Sequence, residues 1–179
     1  MSQLKVNSII PVGGLSGSAN GGIIQVVQVT HGNQVSTTGT SYVDTGLSAS
    51  ITPNSTSSKI LVIVTQRFFI KRSTDQARGG FRLLRGSTVI LQGPNTSSGA
   101  EPGGEGFSSG NGPGAIQVAG AYSCSFLDSP STTSATTYKT QFANNQSSAS
   151  PEIFVNALDG NSGEDGTSTM TLMEVTVWV

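Results

Sequence analysis

Two kinds of side chain in this sequence could take part in catalysis. His31 is the only histidine, so a Ser-His-Asp triad would have to use it. It stands in a polar stretch between two apolar runs, a poor place to hold a base rigidly, and we predict a solvated turn residue there. Glycoside hydrolysis needs two carboxylates held about 5–10 Å apart. Glu101 and Glu105 lie in a glycine-rich stretch that does not fix their separation, so we predict no catalytic residues.

Another group of side chains, most of them acidic, could bind a cation. The segment LDGNSGEDGT carries Glu164 as well as Asp159, Asn161 and Asp165, and the last three could hold Ca²⁺ together with backbone carbonyls. The spacing does not fit an EF-hand, because Gly163 stands where a further ligand is needed. A polar turn between strands is the commoner origin of such a composition. We therefore expect no metal and no cofactor.

The charge balance limits the classes of partner. Only 11% of the residues are charged and the net charge is -1, which gives no general attraction to nucleic acid or to a membrane surface. The charges are unevenly placed: seven of the nine basic residues lie between residues 59 and 85, and eight of the ten acids follow residue 100. The two segments could pair within or between subunits. Alternatively, an acidic partner could bind a basic face made of Arg67, Lys71, Arg72, Arg82 and Arg85.

The elements that must position these groups are β-strands. No segment has a sustained helical period, whereas apolar alternation predicts strands within residues 22–30, 40–51, 59–70, 81–85, 88–91, 115–127, 135–143, 152–158 and 168–179. The run 59–70 should cross the middle of a sheet, buried on two faces at its start and on one face later. Gly86 and Ser87 suit a type II′ hairpin turn. The last strand should also be central, so Glu174 would need a partner if it is buried.

This pattern predicts an all-β fold, an antiparallel β-sandwich of the jelly-roll type. The single cysteine, Cys124, allows no intrachain disulfide and should be a small buried side chain. Residues 23–179 should form the sandwich domain. Residues 1–22 should form an extended docking arm, since a short apolar patch precedes a flexible Gly/Ser stretch. Its docking residues would be Leu4, Val6, Ile9 and Ile10, although a frayed terminus remains the alternative.

Two long polar segments are the candidates for displayed binding loops. Residues 93–114 are rich in glycine and serine, and long loops in compact domains commonly serve binding. Residues 159–166 form the second segment. The binding residues predicted on these loops are Glu101, Glu105, Phe107, Asn111, Asp159 and Glu164.

Three stretches resemble small virion proteins of tailed bacteriophages, notably marine and cyanobacterial ones. These stretches are LKVNSI near the start, TSYVDTGLSASITPNSTSSKILVI at 40–63 and STMTLMEV near the end. The resemblance implies a homotrimeric jelly roll of the tumour-necrosis-factor or C1q kind, located in the virion as a tail-fibre tip or a head decoration. It carries over no active-site residues.

Three functional hypotheses follow. The first is a non-enzymatic virion protein that docks on other virion proteins through residues 1–22, trimerises through one sheet face, and displays loops to a host surface glycan or protein. The second is a decoration or cement protein that stabilises the capsid. The third is a small carbohydrate-binding, lectin-like protein, which would need a fixed acid pair or an exposed aromatic platform.

Overall fold

The computed structural model describes residues 22–72, 78–92, 105–108, 116–144, 152–157 and 166–175, with backbone alone at 72, 105–108 and 116. This part of the chain contains eleven β-strands and no helix. In chain order the strands are β1 (Ile23–His31), β2 (Val35–Thr37), β3 (Val43–Ile51), β4 (Lys59–Arg72), β5 (Arg78–Arg85), β6 (Thr88–Leu91), β7 (Glu105–Ser108), β8 (Ile116–Asp128), β9 (Thr136–Asn144), β10 (Glu152–Val155) and β11 (Ser168–Val175).

The strand β4 is the centre of a six-stranded sheet, here named sheet A. Along one edge β4 pairs over almost its whole length with β8. Its other edge is shared, because β11 pairs with residues 59–65 and β10 with residues 68–71. Beyond these two, β1 pairs with β11 and β2 pairs with β10. The predicted central positions of β4 and of the last strand are confirmed.

The second sheet, sheet B, has the order β3-β9-β5-β6, and β7 also pairs with β5. All the pairings in both sheets are antiparallel. The sheets pack face to face, with β1 and β11 of sheet A lying against β3 of sheet B. The chain is therefore an antiparallel β-sandwich of the jelly-roll class, as predicted.

Two apolar clusters fill the space between the sheets. The first joins β4 and β11 to the facing strands of sheet B, and its members include Ile60, Val62, Leu172, Leu47 and Tyr138. The second is aromatic and lies around Phe81, which stacks on Tyr122 and Phe142 with ring centroids 5.0 and 6.0 Å away. Gly120 makes room for the second cluster, because a Cβ there would lie 2.6 Å from the Phe68 ring.

A layer of buried polar side chains lies between these clusters and connects the sheets. Gln66 of β4 is fully buried; its Nε2 donates to Oγ of Ser168 at 2.6 Å, and its Oε1 accepts from Oγ1 of Thr140 at 3.0 Å. Thr140 shares a further hydrogen bond of 2.6 Å with Thr45 of β3. Since unpaired polar groups are costly in a core, mutual pairing is what makes this layer tolerable.

The same layer completes the hydrogen bonding of β4 at the point between the residues that pair with β11 and those that pair with β10. The amide of Arg67 donates to Oγ of Ser168 at 2.9 Å, and its carbonyl accepts from the amide of Asn156 at 3.2 Å. Asn156 has a positive φ of 58° and anchors its own side chain by donating from Nδ2 to the Asn33 carbonyl at 2.9 Å. The Ser168 hydroxyl and the backbone amide of Asn156 thus replace the missing strand partner at this junction.

Several local predictions can be compared with the structure. The hairpin at Gly86 and Ser87 is confirmed: Gly86 has φ 58°, whereas Ser87 does not take a positive φ, as a type II′ turn requires. The prediction that β4 is buried on two faces at its start and on one face later was wrong. Alternate residues face the core at its start, whereas residues 68–70 are buried on both faces because Phe69 packs outward against Phe154 and Ala157.

Two predicted connections contain strands. The polar stretch 31–39 was predicted as a turn, but it includes β2, which pairs with β10. The segment 93–114 was predicted as one long loop, but within it β7 pairs with residues 78–81 of β5. Both strands are short, with three and four residues, and their sequences lack the alternation that marks the longer strands.

Candidate functional site

Most of the side chains predicted to dock or bind lie outside the described residues. They are Leu4, Val6, Ile9, Ile10, Glu101, Asn111, Asp159, Asn161, Glu164 and Asp165. For Glu105 and Phe107 the structure describes the backbone, which pairs with Phe81 and Gly79 in sheet B. The binding roles of all these residues stay predictions.

The described basic residues do not share one face. Arg67 and Lys71 alternate with the inward residues of β4, so they point away from the core on sheet A. Arg82 lies on the outward side of sheet B, and Arg85 ends β5 beside Asp128. The side chain of Arg72 is not described. These basic residues are close together in the sequence but lie on two surfaces, because β4 and β5 belong to different sheets.

The ion pair of Arg85 confirms pairing between the basic and acidic segments within one subunit. Nη1 of Arg85 lies 2.9 and 2.8 Å from the two carboxylate oxygens of Asp128, which is 6% exposed. Tyr138 donates its hydroxyl to Oδ2 of the same carboxylate at 2.7 Å. Burial, together with the Asp128 hydrogen bond and charge, raises the pKa of Tyr138 well above its usual range. This group joins β5 and β9 of sheet B to β8 of sheet A.

His31 is not the solvated turn residue that we predicted. It ends β1, where its imidazole lies against Gly46 of sheet B and its Nε2 atom is buried. Within the described part of the chain Nε2 has no hydrogen-bond partner. The imidazole is therefore a packing group at the seam between the sheets. Cys124, predicted to be buried, is half-buried and packs against both core clusters.

The outer surface of sheet A carries a row of apolar side chains across four strands. Strand pairing aligns Leu127 of β8, Leu61 of β4, Met173 of β11 and Val26 of β1. Leu127 is 49% and Val26 54% exposed. The neighbouring Ile63 and Ile23 are also exposed, at 37% and 60%. Four strands thus present one connected apolar patch, which we call the apolar face.

Small polar residues border this patch beyond Ile63, whereas Lys59 borders its other end, where it pairs with Val175 next to Ile23. Beside Ile63, the pairing places Ser125 on β8 and Thr171 on β11, and Gln28 of β1 donates to the Thr171 hydroxyl at 3.1 Å. The next row contains Thr65 and hydroxyl residues of β8, β11 and β1. A shallow groove of about 290 Å³ lies between β4 and β8, because serines line its β8 side. This polar border beyond Ile63 is uncharged and can lose its water without burying a charge.

The outer surface of sheet B is chemically different. Asp44 of β3, Gln141 of β9 and Arg82 of β5 are aligned by strand pairing, one position from the buried Phe142 and Phe81. Gln141 Oε1 accepts from Nε and Nη2 of Arg82 at 2.8 and 2.6 Å, while Gln141 Nε2 donates to Asp44 Oδ1 at 2.6 Å.

Two further side chains complete this group, which we call the Arg82 cluster. Lys139 donates from Nζ to Oδ2 of Asp44 at 2.9 Å. The guanidinium carbon of Arg82 lies 4.0 Å from the centre of the Tyr42 ring, within cation–π range. A depression of about 70 Å³ beside Asp44 and Lys139 is also lined by Gly46 and Ser48.

The electrostatics of the cluster follow from its contacts. Burial alone would raise the pKa of Asp44, but hydrogen bonds from Gln141 and Lys139 and the charges of Lys139 and Arg82 outweigh it and lower the pKa. Burial raises the pKa of Tyr42, with Arg82 opposing that rise. At neutral pH the cluster therefore holds two cations and one carboxylate.

Within the described residues, no group of three or more His, Cys, Asp or Glu side chains is placed to hold a metal ion. The described part of the chain likewise contains no helix with the length and apolar character needed to cross a membrane. The candidate calcium ligands Asp159, Asn161 and Asp165 lie outside the described residues.

Comparisons with known proteins find distant structural likeness. No protein-family model matches the chain, and no curated protein matches it by sequence. Among solved structures, the chain is similar to a protein in the structure of infectious bursal disease virus, Gx strain. The identity is 13% and the TM-score is 0.36, over 93% of this chain. It is also similar to the VP2 subviral particle of that virus, with 16% identity and a TM-score of 0.36. The chain spans less than half of those proteins, 44% and 43%.

Proposed function

We propose that this chain is a non-enzymatic structural protein of a tailed-bacteriophage virion, and that it forms a homotrimer through the apolar face. The exposed row that includes Val26 and Leu127 is the observation that carries the proposal. Connected apolar patches are uncommon on monomeric proteins and typically mark interaction sites. Attachment to the particle, through residues 1–22, and host-surface contact are further parts of the proposal.

The chemistry of the apolar face favours a second copy of this chain as its partner. Apart from Lys59 at one end, a face of Leu, Ile, Val, Ser and Thr side chains can meet an identical face without opposing like charges. A strongly charged partner would leave its own charges desolvated and unpaired there. The thin core expected from 35% hydrophobic residues also favours further burial between subunits.

The virion setting is supported by the three sequence stretches that resemble phage virion proteins. The jelly-roll sandwich is the fold which that resemblance implied. Position on the particle is the open part of the proposal: a tail-fibre tip that contacts the host is the first candidate, and a capsid decoration protein is the second. The number of copies per particle separates them, since it should follow either the symmetry of the tail or the lattice of the capsid.

Assembly can be tested with charge substitutions on the two outer surfaces. Val26→Glu and Leu127→Glu place a carboxylate at exposed points of the apolar face, where burial against a neighbour would be costly. Ser48→Glu places the same group on the exposed side of sheet B. In sedimentation experiments we expect the wild type and Ser48→Glu to have the mass of three 18.3 kDa chains, and both face variants to dissociate. A monomeric wild type, or a trimer that survives both face substitutions, would contradict the proposed interface.

The virion assignment needs its own measurement. Quantitative mass spectrometry of purified particles, referenced to the major shell protein, gives the copies of this chain per particle. A number that matches the tail supports the fibre-tip role, and one that matches the capsid lattice supports decoration. Absence from the particle would overturn both and favour the lectin-like alternative.

A further inference from the structure

We infer that the Arg82 cluster on the outer surface of sheet B is a binding site for a carboxylate-bearing saccharide. The inference extends the proposed host-surface contact to the sheet, away from the predicted display loops. It can be tested on the isolated chain, whether or not the trimer and virion proposals hold.

The first argument is an excess of hydrogen-bond donors. The carboxylate of Asp44 is already engaged on both oxygens, by Gln141 and Lys139, and Gln141 Oε1 already accepts twice from Arg82. In the described part of the chain, the contacts of Arg82 use Nε and Nη2 and leave Nη1 available. Lys139 has donated one of three ammonium hydrogens. What the cluster can still bind is therefore an acceptor, and its two cations against one carboxylate favour an anion.

The second argument is that the guanidinium of Arg82 is held in place. Two hydrogen bonds to one Gln141 oxygen fix its plane, and the Tyr42 ring supports its face at 4.0 Å. A guanidinium held in this way loses little side-chain entropy when a ligand binds. Its planar pair of N–H groups matches a carboxylate better than a point charge does.

The third argument concerns the surface beside the cluster. Beside Asp44 and Lys139 lies the depression of about 70 Å³. The outer surface of sheet B continues past it with the exposed residues Ser48, Ser50 and Thr137, whose hydroxyls suit a polyhydroxylated ligand.

The test is a titration of the wild-type chain with trigalacturonate, followed by calorimetry and by amide chemical shifts. We expect one site per chain, with shifts confined to the neighbourhood of Arg82, Gln141 and Tyr42. Neutral galactotriose should bind at least about tenfold more weakly, because the charge-assisted bonds to the guanidinium are lost. Acetate should bind more weakly as well, since it lacks the sugar hydroxyls, and a sulfated galactose oligomer should not equal trigalacturonate.

Matched variants identify the site. Arg82→Gln removes the cation and should weaken binding by about tenfold or more. Tyr42→Leu removes the ring that supports the guanidinium and should weaken binding by about threefold to tenfold. Lys71→Gln removes the same charge from an exposed position on sheet A and should leave binding unchanged. Thermal melts would establish that each variant is folded.

Four results would overturn the inference. They are no binding at about 1 mM trigalacturonate, equal binding of acetate or the sulfated oligomer, wild-type affinity in a folded Arg82→Gln variant, and equal loss in Lys71→Gln, which would indicate attraction to net charge alone.

Discussion

Gly46 and the imidazole of His31 are in such close contact that a Cβ on Gly46 would lie 2.3 Å from Nε2. Gly46 also has a φ of 87°, a conformation that other residues adopt only with strain. The contact joins the last residue of β1 in sheet A to β3 in sheet B. The pairing of β3 with β9 shifts register at this point, between Asp44 and Ser48.

Gly46→Ala should therefore destabilise the protein through two separable effects. The left-handed backbone costs about 1–2 kcal/mol and the clash a further 1–3 kcal/mol or so. Gly86→Ala is the matched control, because φ there is 58° but no atom lies within 4 Å of the added Cβ. Urea unfolding at fixed protein concentration should show the larger loss for Gly46→Ala. Adding His31→Ala to Gly46→Ala should recover the steric part, and a double variant with no recovery would argue against the clash.

The long strands could be predicted from the sequence because their burial alternates. Tyr138, Thr140 and Phe142 share the core side of β9, as their spacing indicates, and Glu174 does find partners in a central strand. The two short strands β2 and β7 could not be predicted. Each is held by pairing with a partner distant in sequence, and a run of three or four residues carries too little pattern.

The Arg82 cluster shows why a site built across strands escapes sequence reasoning. Asp44, Arg82 and Gln141 are distant in sequence, and their alignment depends on register and on the irregularity at Gly46. No spacing rule along the chain connects them. The apolar face is similar: Leu61, Leu127 and Val26 each look like ordinary members of alternating strands, and only the pairing places them in one row.

The buried polar layer makes a second prediction. Thr140→Val preserves shape but removes the hydroxyl that donates to Gln66 and shares a hydrogen bond with Thr45. We expect a loss of about 1–3 kcal/mol in the free energy of unfolding, since two buried polar atoms lose a partner. Thr137→Val is the control on the same strand, where the hydroxyl is exposed and contacts Ser50. Denaturant unfolding should show little change for the control; equal losses would mean that burial of the layer is unimportant.

Glu174 should make the free energy of unfolding depend on pH in the acid range. Burial works to raise the pKa of this carboxyl, but hydrogen bonds from Gln25 and from both donors of Asn54 outweigh burial and lower the pKa below its ordinary value of 4.5. Gln25 Nε2 lies 2.6 Å and the Asn54 amide 2.7 Å from the carboxylate. A depressed pKa in the folded state gives stability that is present above pH 4.5 and is lost as the pH falls through the folded value.

Glu174→Gln should accordingly remove part of the acid dependence. At neutral pH we expect it to cost about 1–3 kcal/mol, because a carboxamide nitrogen would face the donors that the carboxylate accepts from. Between pH 5 and pH 3 or so its stability should then fall less steeply than that of the wild type. Thr137→Val, which changes an exposed hydroxyl and no titrating group, should keep the wild-type slope. Unfolding curves measured across this range test both statements, and an unchanged slope in Glu174→Gln would contradict the assignment.

Tyr138 should make the free energy of unfolding depend on pH in the alkaline range. Burial and the hydrogen bond to Asp128 raise its pKa above the ordinary value of 10.0, so it stabilises the fold fully below pH 10. That contribution is lost as the pH rises toward the folded value. Tyr138→Phe should cost about 1 kcal/mol at pH 7, through the lost hydrogen bond, and should flatten the decline in stability above pH 10.

Absorbance at 295 nm provides a direct check on the same residue. The chain has three tyrosines, and Tyr138 should remain protonated in the folded protein when the pH passes its ordinary value, becoming ionised together with unfolding. In Tyr138→Phe the delayed absorbance change should be smaller by one tyrosine, because the pKa of Tyr42 is also raised and delays that residue as well. The positive charge of Arg85 opposes the rise in the pKa of Tyr138 only in part, because burial and Asp128 outweigh it. A wild-type chain in which every tyrosine ionises near pH 10 while still folded would show that the Asp128–Tyr138 contact does not hold the proton.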